Sequence, residues 1–236
     1  MIISHTHKFI FIKSFKTAGT SIDATLSNYC SGRDIVTPLN DFKHNRTESG
    51  EFIHKSMNAD EFIKLNLPNL QHVDAKIIKE MIGDEVWNNY FKFSIVRNPW
   101  DRAISYFYWD LRNEPAIKPK KRFYHYFGVP FDELKHLQWL FSEYIKTKQI
   151  PSNDPFYTIN NELCVDSVIR YENLIQDFAA ICQKIDVPVP ELPKLKGGIR
   201  SAKYHYSAYY NQESIDIVTA AHQNDIRLFD YKFEKQ

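Results

Sequence analysis

Two short segments carry residues whose types and spacing suit chemistry on a phosphate or sulfate. The first is Phe11-Ile-Lys-Ser-Phe-Lys-Thr-Ala-Gly-Thr-Ser-Ile22. An apolar run meets a short loop with one glycine, and a helix then begins. Ala18 and Gly19 let the backbone approach a ligand closely. The first amides of a helix have no partner inside it, and the helix dipole favours an anion beside them. Lys16, Thr17, Thr20 and Ser21 bring a cation and three hydroxyls to the same place, so the segment reads as an anion cradle. It is not a Walker A loop. That pattern places its lysine after the second glycine, whereas Lys16 precedes Gly19. From these residues alone, an ordinary strand–turn–helix with a hydroxyl cap is the alternative.

The second segment is Phe93-Ser-Ile-Val-Arg-Asn-Pro-Trp-Asp-Arg-Ala-Ile-Ser-Tyr-Phe107. Arg97 falls where a strand ends, and open α/β sheets bind ligands at the carboxyl ends of their strands. Pro99 turns the chain into a helix that Asp101 is placed to cap. Ser105 lies about one turn in, where its hydroxyl would join Arg97 on one anion. A planar guanidinium suits two oxygens of a phosphate. The alternative for Arg97 is a structural ion pair, and Arg102 is expected to be solvated or structural. Reaction at a hydroxyl also calls for a base, and histidine is the usual choice because it titrates near neutrality. Nine histidines are present. His5, His7, His125, His136 and His222 read as surface or packing positions.

These residues need elements to hold them. Phe9 to Ile12 reads as a short buried strand, and a helix capped by Thr20 or Ser21 runs to about Tyr29. Asn58 and Asp74 are placed as N-caps, the second opening a helix from Ala75 to Ile82 with Gly83 as its stop. Tyr90 to Val96 is a second strand, followed by a helix from about Asp101 to Arg112. Residues 113–130 form a loop with a basic cluster. Asp132 caps a helix to about Lys148, with Leu134, Leu137, Leu140, Phe141 and Ile145 on one face. Val165 to Tyr171 is a third strand with a helix after it, residues 186–200 are a long loop, and a last helix spans about Gln212 to Leu228. Strands alternating with helices imply an α/β fold with a central parallel sheet and helices on both faces.

Composition narrows the class. The 236 residues suggest one domain, 1–236, with an ordinary soluble balance of 43% hydrophobic and 25% charged residues. Thirty basic against 29 acidic residues leave a net charge of +1, so no global field marks a nucleic-acid or membrane partner. Cys30, Cys164 and Cys182 are scattered and form no C-x-x-C metal or redox motif, so no metal is expected. No signal peptide or membrane span is read, which makes a cytoplasmic protein the expectation.

The paired motifs resemble those of sulfotransferases that use 3′-phosphoadenosine 5′-phosphosulfate (PAPS). Lys13 to Ser21 (KSFKTAGTS) is similar to the family's 5′-phosphosulfate loop, and Val96 to Ser105 (VRNPWDRAIS) to its 3′-phosphate motif. The K-T-A-G-T-S form resembles the carbohydrate branch, which includes heparan sulfate 2-O-sulfotransferases and bacterial relatives. Val168 to Leu174 and Tyr206 to Phe233 resemble the family's late strand and closing helix. The resemblance implies a P-loop NTPase-like fold and transfer of a sulfuryl group from PAPS to an acceptor hydroxyl, of a carbohydrate in that branch, releasing PAP. It implies Lys16 at the bridging oxygen of the donor, and Lys13 with Thr17, Ala18, Gly19, Thr20 and Ser21 around the phosphosulfate. It implies Arg97 and Ser105 on the 3′-phosphate, and Ser201 and Lys203 in a loop closing over the cofactor, where Ile199 departs from the family's usual asparagine. His72, in Leu70-Gln-His-Val-Asp-Ala75, matches the family's histidine base, with His54 and then His44 in reserve. The Lys118–Arg122 cluster with Phe123, Tyr124 and Tyr126, and the group Lys43, His44 and Arg46, read first as solvated loops and second as contacts for an anionic sugar. Two other functions compete. One is a nucleoside or small-molecule kinase, for which no Walker lysine or Mg²⁺ carboxylate stands out. The other is a PAP-binding protein without turnover.

Overall fold

The computed structural model describes residues 1–39, 56–67, 69–112, 132–193, 195, 200 and 204–235. His44, His54, Ser201, Lys203 and both loop clusters lie outside the described residues. The chain forms two compact units, residues 1–97 with 153–196 and residues 98–152 with 197–236.

The first unit is built on a five-stranded sheet. Its strands are β1 (Ile2–Ser4), β2 (Phe9–Ile12), β3 (Ile35–Val36), β4 (Phe91–Val96) and β7 (Ser167–Arg170), in the order β3-β1-β2-β4-β7. β2, β4 and β7 are parallel, with Ile12 opposite Ser94 and Val96 opposite Arg170. β1 runs antiparallel to both β2 and β3. The expected central parallel sheet is present in β2, β4 and β7, and the antiparallel β1 makes the whole sheet mixed. Ile2 and Ile3 enter the core from a segment too short to show a strand period. A separate hairpin joins β5 (Thr158–Ile159) to β6 (Glu162–Leu163).

The register sorts side chains between the faces of the sheet. Phe9, Phe11, Phe93, Ile95 and Ile169 share one buried cluster with Ile22 and Leu26 of α1 (Gly19–Ser27) and with Phe178, Ile181 and Cys182 of α6 (Leu174–Lys184). Phe93 is the hub of this face, with Phe11 stacked on it at 5.2 Å. Alternate residues of β2 and β4 face the other way. There Ser94 donates its hydroxyl to the Ile12 carbonyl at 2.7 Å, tying the two strands just before both end. α2 (Asp60–Lys64) and α3 (Ala75–Asn89) are further helices of this unit; Gly83, at φ 78 and ψ 163, breaks α3 where a stop is expected, but the helix resumes beyond it.

The second unit is helical: α4 (Pro99–Asp110), α5 (Glu133–Thr147), a 3₁₀ turn at Tyr206–Tyr209, α7 (Gln212–Ala221) and α8 (Gln223–Phe229). The cap of α4 is Asn98, not Asp101: its side chain accepts from the amides of Trp100 and Asp101. Asp132 caps α5 as expected. The single final helix divides at His222, which leaves helical geometry because its ring turns into the interior. Arg102 is fully buried, donating to Asp225 at 3.1 Å, to His222 Nδ1 at 3.0 Å and to the Pro151 carbonyl at 3.2 Å. It is structural, and the solvated alternative is excluded. Among the described residues, no helix is long and apolar enough to cross a membrane.

Candidate functional site

The loop after β2 is shaped by its backbone. Lys16 and Ala18 both take left-handed conformations, at φ 58 and φ 63. Alternation of this kind turns successive amides toward one side and forms a concavity suited to an anion. α1 follows at once, and its N-cap is Ala18, which has no side chain to satisfy the first amides. The expected cap by Thr20 or Ser21 is not made, because both residues already lie inside the helix. An uncapped, positively polarised helix end therefore faces the loop. Gly19 has a steric reason for being glycine: a Cβ there would stand 2.7 Å from Lys13 Cγ.

The two lysines of this loop differ in setting. Lys13 is buried, and its ammonium bonds Gln71 Oε1 at 3.1 Å and Asp23 Oδ2 at 3.4 Å. The ammonium thus ties α1 to the segment carrying Gln71 from inside the loop. Lys16 is half-buried at the loop's turn. Thr17 is buried, with its hydroxyl on Ser14, and Ser14 in turn donates to the Ile95 carbonyl of β4. Ser21 is buried and Thr20 half-buried at the start of α1. The cradle thus hangs from β4 through Ser14 and from α1 through Lys13.

Arg97 follows β4 directly and sends Nη1 to the Lys16 carbonyl at 2.7 Å. Its guanidinium also lies 3.9 Å over the ring of Tyr171, the residue after β7. The carboxyl ends of the three parallel strands therefore converge on one place, with Lys13, Arg97 and Tyr171 each the first residue past its strand. This joins the two sequence motifs within the first unit. Ser105 is half-buried on α4 of the second unit.

His72 belongs to the same cluster. Its Nδ1 lies 2.9 Å from the Lys13 carbonyl. A carbonyl only accepts, so Nδ1 carries the hydrogen, and in the neutral ring Nε2 keeps a lone pair. Burial, and next the Lys13 ammonium, hold the His72 pKa well below the ordinary histidine value. The ring stacks on Phe15 at 4.1 Å, and Phe156 packs edge-on against Phe15 at 5.2 Å. The neutral imidazole that a proton acceptor requires is the resting state here.

Sequence reasoning missed four residues of this cluster: Gln71, Tyr171 under Arg97, Asn153, and Phe156. Tyr171 and Gln71 adjoin motif residues and were within reach. Asn153 lies 138 residues from the loop it bonds, and no local pattern points to it. Among the described residues, no group of histidine, cysteine, aspartate and glutamate is arranged to hold a metal ion. The cradle, its uncapped helix and the cation at its rim suit an anion.

The chain is 30% identical over 118 residues to an uncharacterized protein of Archaeoglobus fulgidus, a match covering 48% of this chain and 82% of that one. No solved structure matches it. A family model described as Sulfotransferase family matches residues 1–232, across both units. With the strand-end loop, its paired cations and a neutral histidine beside them, this chain belongs to the Sulfotransferase family.

Proposed function

We propose that this transferase moves a sulfuryl group from PAPS to an acceptor hydroxyl of a carbohydrate, and that both units serve as one sulfotransferase domain on a P-loop-type sheet. The observation that carries the reading is His72, held as the Nδ1–H tautomer against the same loop that presents Lys16.

When bound, PAPS would supply an activated sulfuryl group on a good leaving phosphate. The amides at the start of α1, with Thr20, would hold the phosphosulfate, and Lys16 would offset charge growing on the leaving oxygen. Thr17 and Ser21, buried in the cradle, would keep its backbone in shape. Arg97 would take the 3′-phosphate, and Ser105 is assigned to it by the motif. Ser201 and Lys203 are assigned to the closing loop on the same basis. His72 Nε2 would take the acceptor's proton as the new bond forms. Lys13 is left out of the ligand set, because its ammonium already bridges Asp23 and Gln71.

The carbohydrate acceptor follows from the likeness of the K-T-A-G-T-S loop to that branch. The kinase reading lacks a lysine after the cradle glycine. A PAP-binding protein without turnover would have no use for a neutral histidine at the loop. Labelled sulfate carried from PAPS to a panel of polysaccharides tests the assignment: transfer that is lost in Lys16→Ala supports it, and binding of PAP with no transfer to any acceptor favours the binding protein.

A further inference from the structure

We infer that Asn153 is a positioning residue that fixes the geometry between Lys16 and His72; the inference rests on the sulfuryl-transfer reading above. Asn153 is 2% exposed. Its Oδ1 accepts from the Phe15 amide at 3.1 Å, and its Nδ2 donates to the Phe15 carbonyl at 3.1 Å. One side-chain amide thus satisfies both backbone groups of one residue, as a neighbouring strand would. Asn153 is itself held by the turn it opens, where its carbonyl accepts from the Phe156 amide at 3.0 Å.

Two consequences run from the pinned Phe15. Its ring is the face on which His72 stacks, and Phe156 from the Asn153 turn closes against that ring. The imidazole is then fixed by one ring face and by the Nδ1 bond to Lys13, which together set the direction of Nε2. The next residue, Lys16, sits in the left-handed region at φ 58, a conformation that persists only where the surroundings hold it. The bracketed Phe15 supplies that hold on one side, and Arg97 on the Lys16 carbonyl supplies it on the other. Asn153 acts on both reacting groups through Phe15.

The test uses the full chain with Asn153→Ala, and with Phe15→Ala as a second variant that removes the stack but keeps the backbone bracket. Imidazole nitrogen NMR reads the His72 tautomer and titration, assigned through its loss in His72→Asn. Calorimetry reads PAP affinity, and initial rates with PAPS read kcat and KM. In Asn153→Ala we expect a mixed tautomer, a His72 titration moved up toward the ordinary value, and kcat reduced about 10- to 100-fold with PAP affinity within about threefold. Phe15→Ala should reproduce the histidine changes, and it carries the test should Asn153→Ala fail to fold. A lowered melting temperature with the His72 signature and pH profile unchanged overturns the proposal. If the histidine responds but the parent protein transfers no sulfate from PAPS, the positioning stands and the functional reading falls.

Discussion

The His72 imidazole donates its Nδ1 hydrogen to the Lys13 carbonyl across 2.9 Å, which leaves Nε2 as the basic nitrogen of a neutral ring. The backbone that begins the anion loop therefore also sets the tautomer of the residue placed to take a proton. Activity should follow that protonation state. Because burial and the Lys13 ammonium lower the His72 pKa, the neutral form persists below about pH 6.5, the ordinary histidine value. The kcat of the parent protein should stay flat as pH falls through that value and decline only further down. His72→Ala should lower kcat by roughly 10²- to 10⁴-fold with PAP affinity nearly unchanged. A rate that halves near pH 6.5, or a His72→Ala variant of normal kcat, would remove the base from the mechanism.

Lys13 and Lys16, three residues apart, should fail in different ways. Lys13→Met removes one of two amino groups on buried Asp23, the Met1 amino group remaining at 3.3 Å, so the loss of stability is at most about 3–5 kcal/mol. Lys16→Met should melt near the parent temperature but lose kcat more than PAP affinity, since a cation at the leaving oxygen gains most in the transition state. Thermal melts and single-turnover rates on the pair check both. A stable Lys13→Met that has lost PAP affinity would return Lys13 to the ligand set.

How much of this was legible in the sequence varied with range. β2 and β4 showed as apolar runs because both faces are covered. β1 did not, since three residues carry no period, and its antiparallel pairing depends on a turn at His5–Lys8 that has no glycine or proline signal. The caps of α1 and α4 were misplaced by two or three residues, because Thr20, Ser21 and Asp101 are all plausible caps by type while backbone geometry selects Ala18 and Asn98. Lys16 and Arg97 were readable from motif spacing. Asn153, and the inward turn of Lys13, were not, because each depends on a partner brought near only by folding.

Gly19 offers a test of loop geometry. Gly19→Ala places a methyl 2.7 Å from the Lys13 side chain, which is packed and cannot swing outward. Overpacking of this kind costs about 1–3 kcal/mol. Differential scanning calorimetry should show a melting temperature lower by about 2–4 °C for each kcal/mol, and PAP affinity should fall as the loop shifts. An unchanged melt would show that Lys13 is free to move.

His222 of the second unit should contribute to acid stability alongside His72, whose pKa is also lowered. His222 accepts from Arg102 at Nδ1, so its hydrogen sits on Nε2, the opposite tautomer to His72. Burial, and next the Arg102 charge, lower its pKa to about 3. The unfolded chain binds the proton first, so stability is full above about pH 6.5 and falls by up to about 1.4 kcal/mol per pH unit below it, until the folded group also titrates. Urea melts from pH 7 to 4 on the parent protein and on His222→Asn should diverge, with the variant less sensitive to acid. Parallel pH dependences would show that other groups dominate.

A site for a 3′-phosphorylated donor at Arg97 and Lys16 is tested most directly by calorimetric titration with PAP and with ATP. Losing a charge-assisted contact costs roughly 1.5–3 kcal/mol, so PAP should bind about 10- to 100-fold more tightly than ATP, which lacks the 3′-phosphate. Arg97→Ala should erase most of that preference. Equal affinity for PAP and ATP in the parent protein would contradict the account.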